Sequence, residues 1–399
     1  MNSFFASVEQ ELRPELRGRP IGVCPFINDA TCIIAASIEA KRSGIKTGTK
    51  VAEAKRLCPE ITLLAARPSH YRDYHHRIMT ALDQTRCQVI VKSIDEALLI
   101  VPNDLRSQTR ELALEVKQRL VALGSQLKSS IGIAPNLFLA KIASNLEKPD
   151  GLVEVRLDGL ADFYAGLKLT DLHGISWRLA RRFHAIGIAS PLELFRAPYG
   201  LLRRSFGLSG EAWYLRLRGY EIDLAPTTRR MVGHETTITP DPATTMEQVL
   251  SVASQLTYKA ANRLRASELA ARGVVVYLRY SDRSYWQHLY HGRQPFSDSA
   301  TFLGHVKRLL ANHRLRLPVR LVSVSAIDIM PIAQTTHSLF GQTESHERLS
   351  EALDQINGRF GPNTVQPAEQ LLSRPMTDAV GFGNAPDVAT ALRKQSPRA

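Results

Sequence analysis

Residues 89–101 read Val89-Ile90-Val91-Lys92-Ser93-Ile94-Asp95-Glu96-Ala97-Leu98-Leu99-Ile100-Val101. Two apolar, β-prone runs flank an adjacent pair of carboxylates. Asp and Glu are poor strand residues, and charge inside a core sheet is costly unless it has a partner. A divalent cation is one such partner, since hard cations take oxygen ligands. A hairpin whose turn happens to be acidic fits the same residues, because short acidic turns are common. The surrounding chain has to decide between the two.

Working outward, Tyr71 to Leu82 reads as a helix, and a long amphipathic helix is predicted from about Ser107 to Leu123, with apolar positions at Leu112, Leu114, Val116, Leu120 and Val121. A strand-like run, Ser129 to Ala134, leads into a helix from Asn136 to Leu146. Nearer the start, Phe4-Phe5 and Val8 could finish a strand or begin a helix. Ile21-Gly22-Val23 and Cys32 to Ala36 read as short strands, and Glu39–Arg42 and Val51–Arg56 as basic helical stretches. Strand and helix alternate without a regular period, which predicts an α+β fold with an antiparallel-dominated sheet.

From about 162 to 220 the strand signal vanishes, and glycines at 174, 187, 207, 210 and 219 punctuate what reads as a small all-helical module. Ala225 to Arg230 reads as a linker. A third unit has a βαβ-like rhythm: helix Met246–Ala266, strands Gly273–Tyr280 and Tyr285–Tyr290, helix Thr301–Asn312, strand Val319–Ile329. Residues 229–330 hold fourteen Lys/Arg against seven Asp/Glu, a bias that suits contact with a phosphate backbone, though a merely soluble basic surface is the plain alternative. Beyond residue 333 come Ser338-Leu339-Phe340, a helix from about Glu344 to Phe360, and a tail expected to be disordered over 375–399.

Composition narrows the class. The chain has 399 residues, 44% of them hydrophobic, enough for about two to four domains. No apolar run approaches the ~20 residues needed to cross a bilayer, and Met1 to Ala6 has the form of no signal peptide, so a cytoplasmic protein without a membrane partner is expected. Cys24, Cys32, Cys58 and Cys87 show no C-x-x-C spacing and read as reduced thiols, not a zinc site or disulfide framework. A net charge of +13 favours a polyanionic partner, nucleic acid before membrane surface.

The helical module contains Leu172-His173-Gly174-Ile175-Ser176-Trp177. A glycine between two helices lets backbone approach a phosphate, and N–H groups at the start of the second helix can bind it. Gly174 and Ser176 are therefore candidate DNA contacts, as is Arg279 in the basic third unit. An ordinary αα-turn fits Gly174 equally.

Taken together, the chain resembles the Y-family (translesion, DinB/UmuC-type) DNA polymerases from Met1 to about Phe360. The resemblance is carried by Met1 to Glu9 (MNSFFASVE), Ala36 to Ile45 (ASIEAKRSGI), Ser93-Ile94-Asp95-Glu96, Ser130 to Ser144 (SIGIAPNLFLAKIAS) and Lys148-Pro149-Asp150-Gly151. It implies a right hand: palm over 1–10 and 66–161, fingers 11–65, helix–hairpin–helix thumb 162–223, linker 224–231, an α+β little finger over 232–333, and a C-terminal segment 334–374. It further implies error-prone, template-directed nucleotidyl transfer with two Mg²⁺ ions on primer–template DNA, from deoxynucleoside triphosphates. Asp95 and Glu96 match the metal-binding pair and Met1 a position whose carbonyl joins a metal. Phe5 matches the steric gate against a 2′-hydroxyl, with Phe4 beside it, and Lys148 matches a triphosphate-binding lysine.

The departures are part of the resemblance. Where the family places a Tyr and an Arg on the triphosphate, this chain has Ile38 and Lys41; Ile38 cannot donate a hydrogen bond and Lys41 offers a point charge in place of a fork. In the family an Asp at the end of a central palm strand immediately precedes the residue matched by Met1. The expectation is therefore a site with two carboxylates instead of three, a palm lacking that strand, and impaired synthesis by the chain as written. An internal Met taken for the start accounts for this simply. A non-catalytic accessory of the ImuB type, binding DNA and clamp, is the rival. Thr336 to Phe340 resembles a sliding-clamp-binding peptide, with Ser338, Leu339 and Phe340 as its contacts.

Overall fold

The computed structural model describes residues 1–224, 230–238, 241–335, 342–361 and 364–367. It divides into two compact units at Pro226/Thr227.

The first unit opens with α1 (Phe4–Leu12). Ser3 enters that helix with φ +51°. Two layers of small elements follow: β1 (Ile21–Cys24), β2 (Ala35–Ala36), α2 (Ile38–Arg42), α3 (Val51–Leu57) and β3 (Thr62–Ala65). Ser37 caps α2 by accepting from the Ala40 amide, which is why the helix starts at Ile38. β1 is the centre of this three-stranded sheet, antiparallel to β2 and parallel to β3. Only Ala35 and Ala36 of the run from Cys32 pair as a strand; Ile33 and Ile34 are buried, their amides donating to the Thr49 and Val23 carbonyls at 2.8 Å each.

Helix α4 (Pro68–Asp83) leads to β4 (Gln88–Val91) and β5 (Ala97–Ile100), which pair antiparallel with Val91 opposite Ala97. Helix α5 (Thr109–Ala122), β6 (Ile131–Ile133), α6 (Leu137–Leu146) and β7 (Leu152–Glu154) complete the region. β6 and β7 pair parallel. Among the described residues no strand pairs with the free edges of β5 and β6, so an antiparallel-dominated sheet is not what forms: two separate ladders stand here, one of each sense. α5 also departs from its apolar pattern. Leu112, Val116 and Leu120 are buried, while Leu114 and Val121 are 45% and 46% exposed, because they fall off the i, i+4, i+8 stripe facing the core.

Gly132 shows how closely this part is packed. A Cβ there would lie 2.0 Å from the Ala140 carbonyl oxygen, so β6 rests directly on the backbone of α6. Lys117 ties α5 to the same place, donating to the carbonyls of Ser129 and Asp150 at 2.8 and 2.7 Å.

Helices α7 (Leu160–Ala165), α8 (Trp177–His184), α9 (Pro191–Arg196), α10 (Tyr199–Phe206) and α11 (Leu208–Leu217) follow without a strand. They close around Tyr164, Phe183, Leu194, Leu202, Trp213 and Leu217, together with Phe138, Leu139 and Ile142 of α6.

The second unit contains β8 (Met231–Thr237), α12 (Met246–Ala266), β9 (Leu269–Tyr280), β10 (Tyr285–Phe296), α13 (Ser299–Ala311), β11 (Val319–Pro331) and α14 (Gln342–Phe360). The sheet order is β10-β9-β11-β8, antiparallel throughout. The βαβ rhythm is nevertheless present in split form: α12 joins β8 to β9 with β11 between them, and α13 joins β10 to β11 with β9 between. β8 escaped prediction because Gly233, His234, Glu235 and the two threonines leave only Val232 buried. α14 is tied to α12 by a bidentate ion pair, Arg265 to Asp354 at 2.7 and 2.9 Å.

Candidate active site

Asp95 and Glu96 lie in the connection between β4 and β5. The turn is closed by the Lys92 and Ser93 amides, which donate to the Glu96 carbonyl at 2.9 and 3.1 Å. The Ser93 hydroxyl donates to Asp95 Oδ1 at 3.0 Å. Behind it, His75 Nδ1 lies 2.6 Å from the Ile94 carbonyl. A carbonyl only accepts, so that nitrogen carries the proton. Burial pushes the His75 imidazole below its ordinary range, in keeping with a neutral strut under the turn.

Cations gather around the two carboxylates. The Met1 α-amino group donates to the Asp95 carbonyl at 2.6 Å. Burial pushes it below its ordinary value, against the attraction of Asp95 and Glu96. Lys141 of α6 donates to Glu96 Oε1. Burial alone pushes the Glu96 carboxyl up, but the Lys141 ammonium outweighs it and the net shift is downward. Burial and the neighbouring Lys141 lower Lys148, and burial lowers Lys41 while Asp95 pulls it back. Lys41, Lys141 and Lys148 thus set three positive groups, with the Met1 nitrogen beside them, against two carboxylates, an arrangement that favours a polyanionic ligand. An open cavity of about 750 Å³ adjoins them, lined on its polar side by Met1, Lys92, Asp95, Glu96, Lys141 and Lys148.

Phe5 stands on α1, four residues after Met1. Its ring stacks on Tyr71 with centroids 4.4 Å apart and planes 16° from parallel. Tyr71 is fully buried, and its hydroxyl donates to Glu9 Oε1 at 2.8 Å. Arg67 donates to both oxygens of Glu9, at 3.1 and 2.5 Å. Glu9 is fully buried while Arg67 is partly exposed, so the carboxylate under the Tyr71 hydroxyl has two partners that hold it in place. Phe4 points into the core and is itself buried.

The residues expected at the metal and triphosphate, Met1, Asp95, Glu96, Lys41 and Lys148, therefore come together, with Phe4 and Phe5 on the adjoining helix. Gly174 lies on the helical layer at φ +89°, a left-handed conformation that suits glycine, and Ser176 is the exposed cap residue of α8. Arg279 is exposed on β9 of the second unit, on the face opposite the buried Val276, Leu278 and Tyr280. Ser338, Leu339 and Phe340 lie outside the described residues. Sequence reasoning passed over Lys141, Tyr71 and the Glu9–Arg67 pair. Lys141 sat inside a quoted motif, but only the packing of α6 on β6 turns it toward Glu96.

No group of three or more His, Cys, Asp or Glu side chains able to hold a metal occurs among the described residues. Two carboxylates suit a Mg²⁺ ion that arrives with a triphosphate, since such ions are bound by one or two carboxylates plus substrate phosphates. The donor set fits that ion.

The fold is that of an α+β polymerase. Residues 1–145 match the impB/mucB/samB family, and residues 229–339 match the C-terminal domain of that family. DNA polymerase IV of Pelotomaculum thermopropionicum is 32% identical over 93% of this chain and 94% of its own length, and DNA polymerase IV 1 of Bacillus subtilis is 29% identical over 93% and 92%. Among solved structures, a Y-family DNA polymerase chimera of Dbh and Dpo4 superposes with a TM-score of 0.73 at 25% identity, over 83% of this chain and 97% of that one. DinB from Sulfolobus solfataricus gives 0.56 over 83% and 97%, again at 25% identity. The chain belongs to the impB/mucB/samB family of DinB-like, Y-family DNA polymerases.

Proposed function

We propose that this chain carries out template-directed, translesion DNA synthesis on primer–template DNA. The observation that carries the reading is the convergence of Asp95 and Glu96 with Lys41, Lys141 and Lys148 beside a cavity, on a turn fixed by Ser93 and His75. Lys41 and Lys148 bind the triphosphate and neutralise the charge that collects on the departing pyrophosphate. Asp95 and Glu96 hold Mg²⁺, which supplies further stabilisation of phosphoryl charge when bound; Lys141 occupies Glu96 until then. Phe5, braced by Tyr71, excludes a sugar bearing a 2′-hydroxyl. In this reading residues 1–10 and 66–161 are the palm, 11–65 the fingers, 162–223 the thumb, and 232–333 the little finger that follows the duplex with Arg279 on its open face. Gly174 and Ser176 meet the duplex backbone.

A second reading has its own observation. Lys41, Lys141 and Lys148 face two carboxylates, and Lys141 already pairs with Glu96, which suits a non-catalytic DNA-binding accessory of the same family. One experiment separates them: primer extension with Mg²⁺ and DNA binding, measured side by side for the chain and for Asp95→Ala. Synthesis that Asp95→Ala lowers by at least ~10³-fold, with DNA affinity unchanged, supports the polymerase. Intact DNA binding with no synthesis in either form assigns the accessory role.

A further inference from the structure

Helix α8 turns Ala180 and Phe183 into the helical core and leaves its other side in solvent. That side carries Trp177, which is 59% exposed. Burial of an indole is worth roughly 2–3 kcal/mol, so nothing in the fold accounts for its exposure. The Arg178 and Arg181 guanidinium carbons stand 5.2 and 6.0 Å from the Trp177 ring centroid, and Arg182 lies over Phe206 at 4.8 Å. Arg178, Arg181 and Arg182 form no ion pair among the described residues, where other arginines of the same layer do, such as Arg203 with Glu211 and Arg216 with Asp223. With Ala185 these four side chains line an open concavity of about 370 Å³.

The combination selects among polyanions. A duplex presents phosphates but hides the faces of its bases, so it would use the arginines and leave the indole in water. An acidic peptide would do the same. An unstacked nucleotide offers both a phosphate and a π-face, and base–aromatic stacking tolerates any base. Arginines beside the ring add cation–π attraction and bind the flanking phosphates.

We propose that Trp177, Arg178, Arg181 and Arg182 form a single-stranded DNA subsite on α8, with one unstacked base on the indole and its neighbouring phosphates on the guanidinium groups. It adjoins the expected duplex contact at Gly174 and Ser176 on the exposed side of the same helix, and it needs no catalytic activity.

The test is equilibrium binding by the full chain to a labelled oligo-dT of about 15 nucleotides, long enough for one such site, and to a blunt hairpin duplex. Trp177→Ala should weaken oligo-dT binding by about 5- to 50-fold, as loss of one stacked base requires, and leave the hairpin within twofold. Trp177→Phe should restore most of the loss, and tryptophan emission should be quenched by oligo-dT but not by an abasic oligomer of equal length. Because Trp177 is exposed, circular dichroism of Trp177→Ala should match the parent. Equal weakening on both ligands would make Trp177 part of the duplex contact. No change on either, or poly-glutamate competing as well as oligo-dT, would also overturn the proposal.

Discussion

At the scale of single residues, the ring of Phe5 is fixed from below. It lies flat on Tyr71, whose hydroxyl ends on a carboxylate already claimed by Arg67. A side chain held this way cannot move aside for a larger sugar, which is what discrimination by exclusion requires. Phe5→Ala should raise incorporation of ribonucleotides relative to deoxyribonucleotides by at least ~10-fold in primer extension; an unchanged ratio removes Phe5 from that role. Much of this neighbourhood was legible in the amino-acid sequence. Asp95, Glu96, Phe5 and Lys148 stand within motifs whose order is informative even though each is short. Tyr71 and Arg67 were not legible, because their partner Glu9 is 62 and 58 residues away along the chain, and a buried carboxylate looks no different in sequence from a solvated one. Lys41 differs again: its charge was evident, but its approach to Asp95 depends on how α2 is seated.

At the scale of elements, helices were the readable part. α12 occupies Met246–Ala266, the span its apolar period and Thr245 cap dictate. Short strands were less readable. β3, β7 and β8 have no alternating pattern long enough to stand out from loops, and two of them pair parallel with distant partners. The same element scale explains how the site is assembled. Lys141 reaches Glu96 only because α6 lies directly against β6, and Gly132 makes that contact feasible. Gly132→Ala should destabilise the first unit by about 3 kcal/mol, toward the upper end for overpacking. Urea denaturation followed by circular dichroism measures this. A midpoint equal to the parent's would show that β6 and α6 can separate at no cost.

At the scale of the molecule, the charge is the governing quantity. The chain carries a net +13, and fourteen basic residues against seven acidic lie in 229–330, where β8 to β11 form a sheet with helices α12 and α13 on one face. A binder of this kind releases counterions from DNA, so affinity falls steeply with salt. Affinity for a blunt duplex should drop by about 10³-fold between roughly 50 and 200 mM NaCl, for about six phosphate contacts. A flat dependence would place the duplex on an apolar contact instead. The structure itself divides into two compact units at Pro226/Thr227.

The free edges of β5 and β6 carry a different consequence. Among the described residues each presents backbone N–H and C=O groups beside a cavity lined by Leu98, Ile100, Ile131 and Ile133, with Lys92, Lys141 and Lys148 on its polar side, and such an edge is a template for another strand. Two copies of the chain meeting there can zip together strand to strand. Light scattering at raised concentration should therefore grow with time while the fold is still intact, and Leu98→Lys should suppress it; scattering that appears only after unfolding would clear these edges. Early scattering of this kind would mark β5 and β6 as the place where the concentration of the protein has to be limited.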